Sequence, residues 1–195
     1  MFIFILAFFN AKIRAHQHKS PKNMKLIKEF SFIDNHQNHT GERILRPATR
    51  AIVLKGNEIL LLHTERYQDY SLPGGGVDHG ESLQQALIRE LTEETGAQDV
   101  KNVAPYGLIR EFRENYKQPD QLIEMLSYCF TCEIAEQFSA QNLEDYELAN
   151  GMTVHWVNIE KAIAYNKQTM TQSEKKGISI IRETFLLEHI AENLV

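Results

Sequence analysis

The fold is decided by residues 75–97, which read Gly-Gly-Val-Asp-His-Gly-Glu-Ser-Leu-Gln-Gln-Ala-Leu-Ile-Arg-Glu-Leu-Thr-Glu-Glu-Thr-Gly-Ala. Ser82 and Gln85 have the spacing of a capping box, and Gly96 is a typical stop, so we predict a helix over 82–95. Apolar residues recur within it at three- and four-residue spacing and predict a buried stripe, namely Leu83, Ala86, Leu87 and Leu91.

Turn and strand signals come before this helix. Residues 73–76 are Pro-Gly-Gly-Gly, a loop that can bend sharply and let a ligand approach the backbone. Upstream, two apolar runs at 51–54 and 59–62 flank Gly56-Asn57. That arrangement predicts a β-hairpin with its turn at Gly-Asn.

Further strands are predicted after the helix, near 103–112, 121–134 and 152–158. The stretch 174–194 carries apolar residues at helical spacing, which predicts a C-terminal amphipathic helix packed on the sheet: Ile178, Ile181, Phe185 and Ile190. Strands, one helix, more strands and then helices indicate an α/β protein with a mixed sheet covered by helices on both faces.

The central helix concentrates carboxylates on one side. Glu90, Glu93 and Glu94 lie at i, i+3 and i+4 and therefore share a face. Like charges one turn apart cost stability unless a cation lies between them, and Mg²⁺ prefers carboxylate oxygens. Glu81 precedes the helix and is a further candidate ligand, while Arg89 is placed to pair with Glu93. The alternative interpretation of these residues is an acidic, solvent-facing helix surface.

The spacing of the whole segment favours the metal site. It runs Gly75, five residues, Glu81, seven residues, Arg89-Glu90-Leu91, one residue, Glu93-Glu94, one residue, Gly96-Ala97. This pattern resembles the signature of the Nudix hydrolases at every defined position, and the resemblance covers about residues 48–166. It implies the Nudix fold, an α/β/α sandwich with a central mixed β-sheet.

The resemblance also implies an activity. Members of the family hydrolyse a pyrophosphate bond in a nucleoside diphosphate linked to another moiety, with Mg²⁺ or Mn²⁺ as cofactor. The expected partner is thus a small-molecule nucleotide derivative: a nucleoside triphosphate, a nucleotide sugar, a dinucleoside polyphosphate or a capped RNA end. The alternative hypothesis is a catalytically inactive Nudix domain that acts as a nucleotide-ligand sensor.

Residue roles follow from the resemblance. The implied metal ligands are Glu81, Glu90, Glu93 and Glu94. The implied catalytic residues are Arg89, which orients a carboxylate, with Glu93 and Glu94. The backbone is expected to approach metal and phosphates at Gly75 and Gly76. The general base is left open between Glu93 and the alternatives Glu124, Glu144, Asp145 and Glu147. Candidates for binding the substrate's phosphates are Arg50, His63, Arg66, Arg110 and Arg113, and candidates for stacking on its base are Tyr67, Tyr70 and Phe112.

The net charge and the cysteines limit the partners and the cellular compartment that we expect. A formal net charge of −5 argues against a basic, nucleic-acid-coating surface, so no DNA partner is expected. The two cysteines, Cys129 and Cys132, lie three apart on a predicted strand and should point to opposite faces. We interpret them as reduced structural thiols, which indicates a cytoplasmic protein.

The N-terminus departs from this picture. Residues 2–9 are an unbroken apolar run, too short for a bilayer span of about 20 residues, so no stable membrane insertion is expected. We expect residues 1–23 to be a disordered or non-native extension and 24–195 to be a single Nudix hydrolase domain that starts at Met24. The alternative is a weak membrane-surface anchor. The sequence leaves homodimer formation open.

Overall fold

The computed structural model describes residues 24–34, 36, 39–118 and 120–195, so the expectation for residues 1–23 lies outside the described residues. The strands are β1 Leu26–Ser31, β2 Arg43–Ile52, β3 Leu54–Lys55, β4 Glu58–Thr64, β5 Asp69–Ser71, β6 Lys101–Glu114, β7 Leu122–Glu133 and β8 Met152–Asn158. The helices are α1 Leu83–Thr95, α2 Asp145–Ala149, α3 Ile159–Gln172 and α4 Ser179–Leu194.

The described strands form two four-stranded sheets. The first has the order β1-β6-β7-β2 and is mixed, because β1 runs parallel to β6 and β2 parallel to β7, while β6 and β7 are antiparallel. The second is antiparallel, with β4 paired to β3, β5 and β8. A segment that we call the glycine loop (residues 72–77) runs along the edge strand β2. There the Thr49 N–H donates to the Gly75 carbonyl at 2.9 Å.

Helices cover the strands on both sides. One core cluster joins α1 to the first sheet through Leu87, Leu91 and Tyr128. The other joins α3 and α4 to the opposite side, where Ile163 and Leu187 are buried. The α/β/α layering predicted from the sequence is confirmed, with its strands divided between two sheets.

Local signals predicted α1 correctly. The Ser82 side chain accepts from the Gln85 N–H, and the Gln85 side chain accepts from the Ser82 N–H, which completes the capping box. Gly96 ends the helix in the left-handed conformation at φ 76°. The predicted apolar stripe is buried. The carboxylates of the opposite face are therefore fixed in register beside the glycine loop.

The C-terminal helix differs from the prediction. It begins at Ser179 instead of Glu174, and two residues of the predicted apolar face, Ile178 and Ile181, are 37% and 42% exposed. The face that it buries consists of Ile180, Arg182, Glu183, Thr184, Leu186, Leu187 and Ile190. The charged pair is buried because each charge finds a partner of opposite sign, which apolar spacing alone does not show.

Both cysteines lie on β7, as predicted. Cys129 belongs to the core cluster beneath α3 and α4, and Cys132 belongs to the cluster beneath α1. Burial raises the pKa of the Cys129 thiol to about 12 and that of Cys132 to about 11. Among the described residues, no helix has the length and apolar character to cross a bilayer.

Candidate active site

Arg89, in the middle of α1, binds three carboxylates. Its guanidinium donates to Glu81 at 2.9 and 3.0 Å, to Glu90 at 2.8 Å and to Glu93 at 3.3 Å. It also donates to the Gly76 carbonyl at 3.0 Å. The hydrogen bond to Glu81, with further help from Glu90, raises the pKa of Arg89 above its ordinary value. Arg89 is thus a permanent cation that orients the acidic face and ties it to the glycine loop.

Glu94 has a different environment from the other two helix carboxylates. It is buried and accepts a hydrogen bond from the Gly74 N–H at 2.6 Å. Burial raises its pKa to about 8, and repulsion from Glu90 and Glu147 adds to the effect. Burial also raises the pKa of Glu90. Burial therefore disfavours the charged form of both carboxyl groups.

Two glycines let the glycine loop approach its neighbours closely. Gly74 has φ +135°, and a Cβ there would lie 2.1 Å from the Thr49 carbonyl oxygen. A Cβ on Gly75 would lie 2.5 Å from the Glu90 carboxylate. The absence of a side chain therefore lets Gly74 pack against β2 and lets Gly75 pack against the Glu90 carboxylate.

The donors at this face fit the divalent cation that the fold family implies. Among the described residues, no three His, Cys, Asp or Glu side chains already converge on one point as a metal-binding group. Glu90, Glu93 and Glu94 nevertheless share one face of α1, and all their donors are oxygens, which suits Mg²⁺ or Mn²⁺. Because Gly75 has no side chain, the Glu90 carboxylate can lie directly against the glycine loop.

Two cavities lie on either side of the glycine loop. The first, of about 300 Å³, is lined by Arg50, Tyr67, Glu94, Arg113 and Glu147 among others. The second, of about 460 Å³, follows the edge of β2 and is lined by Arg46, Arg50, Gly75, Gly76 and Met125 among others. They share Arg50 and Met125 as lining residues and therefore adjoin, and we call the two together the cleft. Each has the size of an ordinary small-molecule site.

Of the alternative bases, the structure brings Glu147 to the cleft. It lies on α2, is buried, and accepts from the Tyr146 hydroxyl at 3.0 Å and from the Glu144 N–H at 2.8 Å. Glu144 is the N-cap of α2, and Asp145 lies in its first turn. Glu124 lies on the opposite face of its strand from the cleft-lining Met125.

Some of the candidate phosphate-binding cations line the cleft, and others do not. Arg50 and Arg113 line the cleft. Arg66 donates to Asn150 at 3.1 Å, at the rim. Arg110 instead pairs with Glu29 and Glu124, at 3.4 and 3.3 Å.

His63 and two of the aromatic candidates also lie elsewhere. His63 bonds to Tyr165 of α3 and packs beside Tyr70, and burial lowers its pKa. Phe112 stacks on His36 with ring centroids 4.0 Å apart. Among the aromatic candidates, Tyr67 is the one that lines the cleft.

Sequence reasoning missed three charged residues, Glu111, Arg182 and Glu183, which are at most 4% exposed. Arg182 and Glu183 line the first cavity of the cleft. Burial alone would raise the pKa of Glu111, but Arg182 and Arg113 hold it below its ordinary value. Burial and the nearby Glu183 raise the pKa of Asp69 to about 6. The sequence signal for Arg182 and Glu183 was that this charged pair lies inside an otherwise apolar stretch of the predicted C-terminal helix.

Comparison with known proteins gives a consistent family. Residues 44–179 match the model of the NUDIX domain. An RNA pyrophosphohydrolase from Campylobacter jejuni is 35% identical over 71 residues, which cover 33% of this chain and 46% of that protein. The chain therefore spans about half the length of the curated relatives that it matches.

One solved structure shows the same fold. A NUDIX hydrolase from Nitrosomonas europaea aligns with a TM-score of 0.54 at 16% identity, over 76% of this chain and 90% of that one. A MutT protein from Bacillus halodurans aligns with a TM-score of 0.49 at 20% identity, over 74% of this chain and 81% of that one.

Proposed function

We propose, since this chain belongs to the NUDIX domain family, that it hydrolyses the pyrophosphate bond of a nucleotide derivative in a reaction that depends on Mg²⁺ or Mn²⁺. The observation that carries the proposal is the meeting of the α1 carboxylates with the glycine loop in a cleft. Glu94 is bound to the Gly74 N–H at 2.6 Å, and Glu90 fills the space that Gly75 leaves free.

The proposed metal ligands are Glu90, Glu93 and Glu94. A bound divalent cation would neutralise phosphate charge and lower the pKa of its water. Glu81 accepts from Arg89 and from the Asp78 N–H at 3.0 Å, so we assign it to bracing the loop. Arg89 keeps Glu90 and Glu93 on the metal-facing side of the helix.

Cations of the chain bind the substrate in this proposal. A pyrophosphate carries several negative charges, and guanidinium groups match phosphate oxygens in charge and in hydrogen-bond geometry. Arg50 and Arg113 line the same cavity as Glu94, and the Nε of each is buried without a hydrogen-bond partner among the described residues. They are therefore our candidates for holding the phosphates beside the carboxylates.

We assign the general base to Glu93. A base must reach a water molecule, and Glu93 is the most exposed of the three α1 carboxylates. Its side chain is 37% exposed, and its one side-chain hydrogen bond among the described residues is the 3.3 Å bond to Arg89. Glu93 would thus serve both as a metal ligand and as the base. Glu147, in contrast, is buried and already accepts two hydrogen bonds.

The cleft and the relatives support the proposed substrate class. A cleft of two adjoining cavities suits a nucleotide joined to a further group. The Campylobacter relative is named an RNA pyrophosphohydrolase, which supports the 5′ pyrophosphate of an RNA end as one candidate. Nucleoside triphosphates, nucleotide sugars and dinucleoside polyphosphates share the same reactive bond.

The test is phosphate release from a panel of these substrates, including 5′-triphosphorylated oligoribonucleotides, with Mg²⁺, with Mn²⁺ and with a chelator. We expect turnover that the chelator abolishes. The Glu93→Gln variant should fold normally and lose about 10²- to 10⁴-fold in kcat, because loss of a general base typically costs that much.

Glu160→Gln is the matched control, because Glu160 is exposed on α3 and lies outside the cleft. It should retain full activity. Turnover that is unaffected by the chelator, or a fully active Glu93→Gln variant, would contradict the proposal.

A further inference from the structure

Five charged residues form a buried ion network between α4 and the first sheet: Arg50, Glu111, Arg113, Arg182 and Glu183. Glu111 accepts from Arg182 at 2.6 Å and from Arg113 at 2.5 Å. Glu183 accepts from the Arg182 Nε at 2.9 Å. Taking such charges out of water is costly, and apolar residues of similar volume often stabilise a fold better. The network therefore calls for a role besides stability.

Glu183 extends this network to the glycine loop. Its second carboxylate oxygen accepts from the Leu72 N–H at 3.0 Å. Its first lies 3.8 Å from the Arg50 Nε, and Arg50 donates to the Gly74 carbonyl. The network thus holds the start of the glycine loop at two points.

These side-chain contacts complete the backbone hydrogen bonding of the glycine loop, which β2 provides only in part. The Ala51 N–H donates to the Pro73 carbonyl at 2.8 Å, and the Thr49 N–H donates to the Gly75 carbonyl at 2.9 Å. Gly74 lies between these two bonded residues of the loop, and Leu72 comes just before them. The N–H groups of Leu72 and Gly74 and the carbonyl of Gly74 still need partners, because buried backbone polar groups are costly when unpaired. Side chains provide them: Glu183 for the Leu72 N–H, Arg50 for the Gly74 carbonyl and Glu94 for the Gly74 N–H.

We propose that Glu183 is a positioning residue of the active site. It fixes residues 72–74 so that the Gly74 N–H holds the Glu94 carboxylate in the orientation needed to bind the cation. The inference rests on the proposed function, because it takes Glu94 as a metal ligand. It assigns to the C-terminal helix, more than 80 positions beyond the carboxylate helix, a part in metal affinity.

The test measures Mn²⁺ affinity by calorimetry on metal-free protein, for wild type and for Glu183→Asp and Glu183→Gln. Glu183→Asp keeps the negative charge beside Arg182 and Arg50, which favours folding, but withdraws the carboxylate from Leu72 by one methylene. Partners that orient metal ligands typically account for about 10- to 100-fold in metal affinity or activity. We expect a weakening of that size in Glu183→Asp, with a matching rise in the Mn²⁺ concentration that half-activates turnover. Glu183→Gln keeps an oxygen that can accept from the Leu72 N–H and should therefore bind Mn²⁺ more tightly than Glu183→Asp.

Leu187→Ala is the control for destabilisation. Leu187 lies one turn beyond Glu183 on the same helix, is fully buried, and belongs to an apolar cluster. This variant should unfold more easily yet bind Mn²⁺ as wild type does.

Folded Glu183→Asp protein with wild-type Mn²⁺ affinity would overturn the inference. An equal loss of affinity in Leu187→Ala would also overturn it, because general destabilisation would then explain the effect. Failure of the proposed function would differ from both, since wild type itself would then neither bind Mn²⁺ nor hydrolyse the substrate panel.

Discussion

At the scale of the residue, two adjacent glycines of the glycine loop have different surroundings. A Cβ on Gly75 would lie 2.5 Å from the Glu90 carboxylate, whereas a Cβ on Gly76 would meet no atom within 4 Å. Neither has the positive φ that only glycine adopts easily. The sequence places both in the signature, but the structure shows that only Gly75 bears directly on a carboxylate.

Gly75→Ala is therefore expected to fold and to bind metal poorly. The backbone accepts alanine, and the new methyl group displaces the Glu90 carboxylate from its place beside Arg89. Mn²⁺ affinity should fall by roughly tenfold or more, in the range reported for disturbed ligand orientation. The test is calorimetric titration of Gly75→Ala and Gly76→Ala with Mn²⁺. Equal Mn²⁺ affinities in the two variants would show that the close approach of Gly75 to the Glu90 carboxylate is unimportant.

At the scale of the element, features that depend on local sequence were predicted better than features that depend on distant partners. The caps and apolar stripe of α1 lie within its own sequence, so its bounds were predicted to within one residue. The buried face of α4 was predicted only in part: Ile190 is buried as expected, but Ile178 and Ile181 are exposed. Arg182 is buried instead because Glu111, 71 positions away in the chain, neutralises it. β1 was not predicted, since its pairing with β6 joins segments far apart in sequence.

The alternation of side chains along β7 leads to a prediction about its two cysteines. Cys129 and Cys132 lie in core clusters on opposite sides of the strand, and burial raises the pKa of both thiols, to about 12 and about 11. The nucleophile is the thiolate, which is scarce at neutral pH when the pKa is so high. We expect a thiol reagent to label neither cysteine in native protein at pH 7.5 and both after denaturation. Rapid labelling of native protein would contradict this packing.

At the scale of the whole molecule, the candidate site is assembled from distant segments. The signature at 75–97 predicted the carboxylate face, because helical geometry alone places those groups together. The choice between Glu124 and Glu147 required the fold: neighbours on a strand point to opposite faces, and α2 returns Glu147 to the cleft. The cation candidates were divided for the same reason, since Arg50 and Arg113 face the cleft and Arg110 does not.

The central claim is that α1 and the glycine loop together build a divalent-cation site for pyrophosphate hydrolysis. Its most direct test is calorimetric titration of metal-free protein with Mn²⁺, for wild type and for Glu94→Gln. The substituted amide keeps an oxygen to accept from the Gly74 N–H but loses the charge that binds the cation. The account predicts that wild type binds Mn²⁺ and that Glu94→Gln binds it roughly tenfold or more weakly. Equal affinity in the two folded proteins would contradict it.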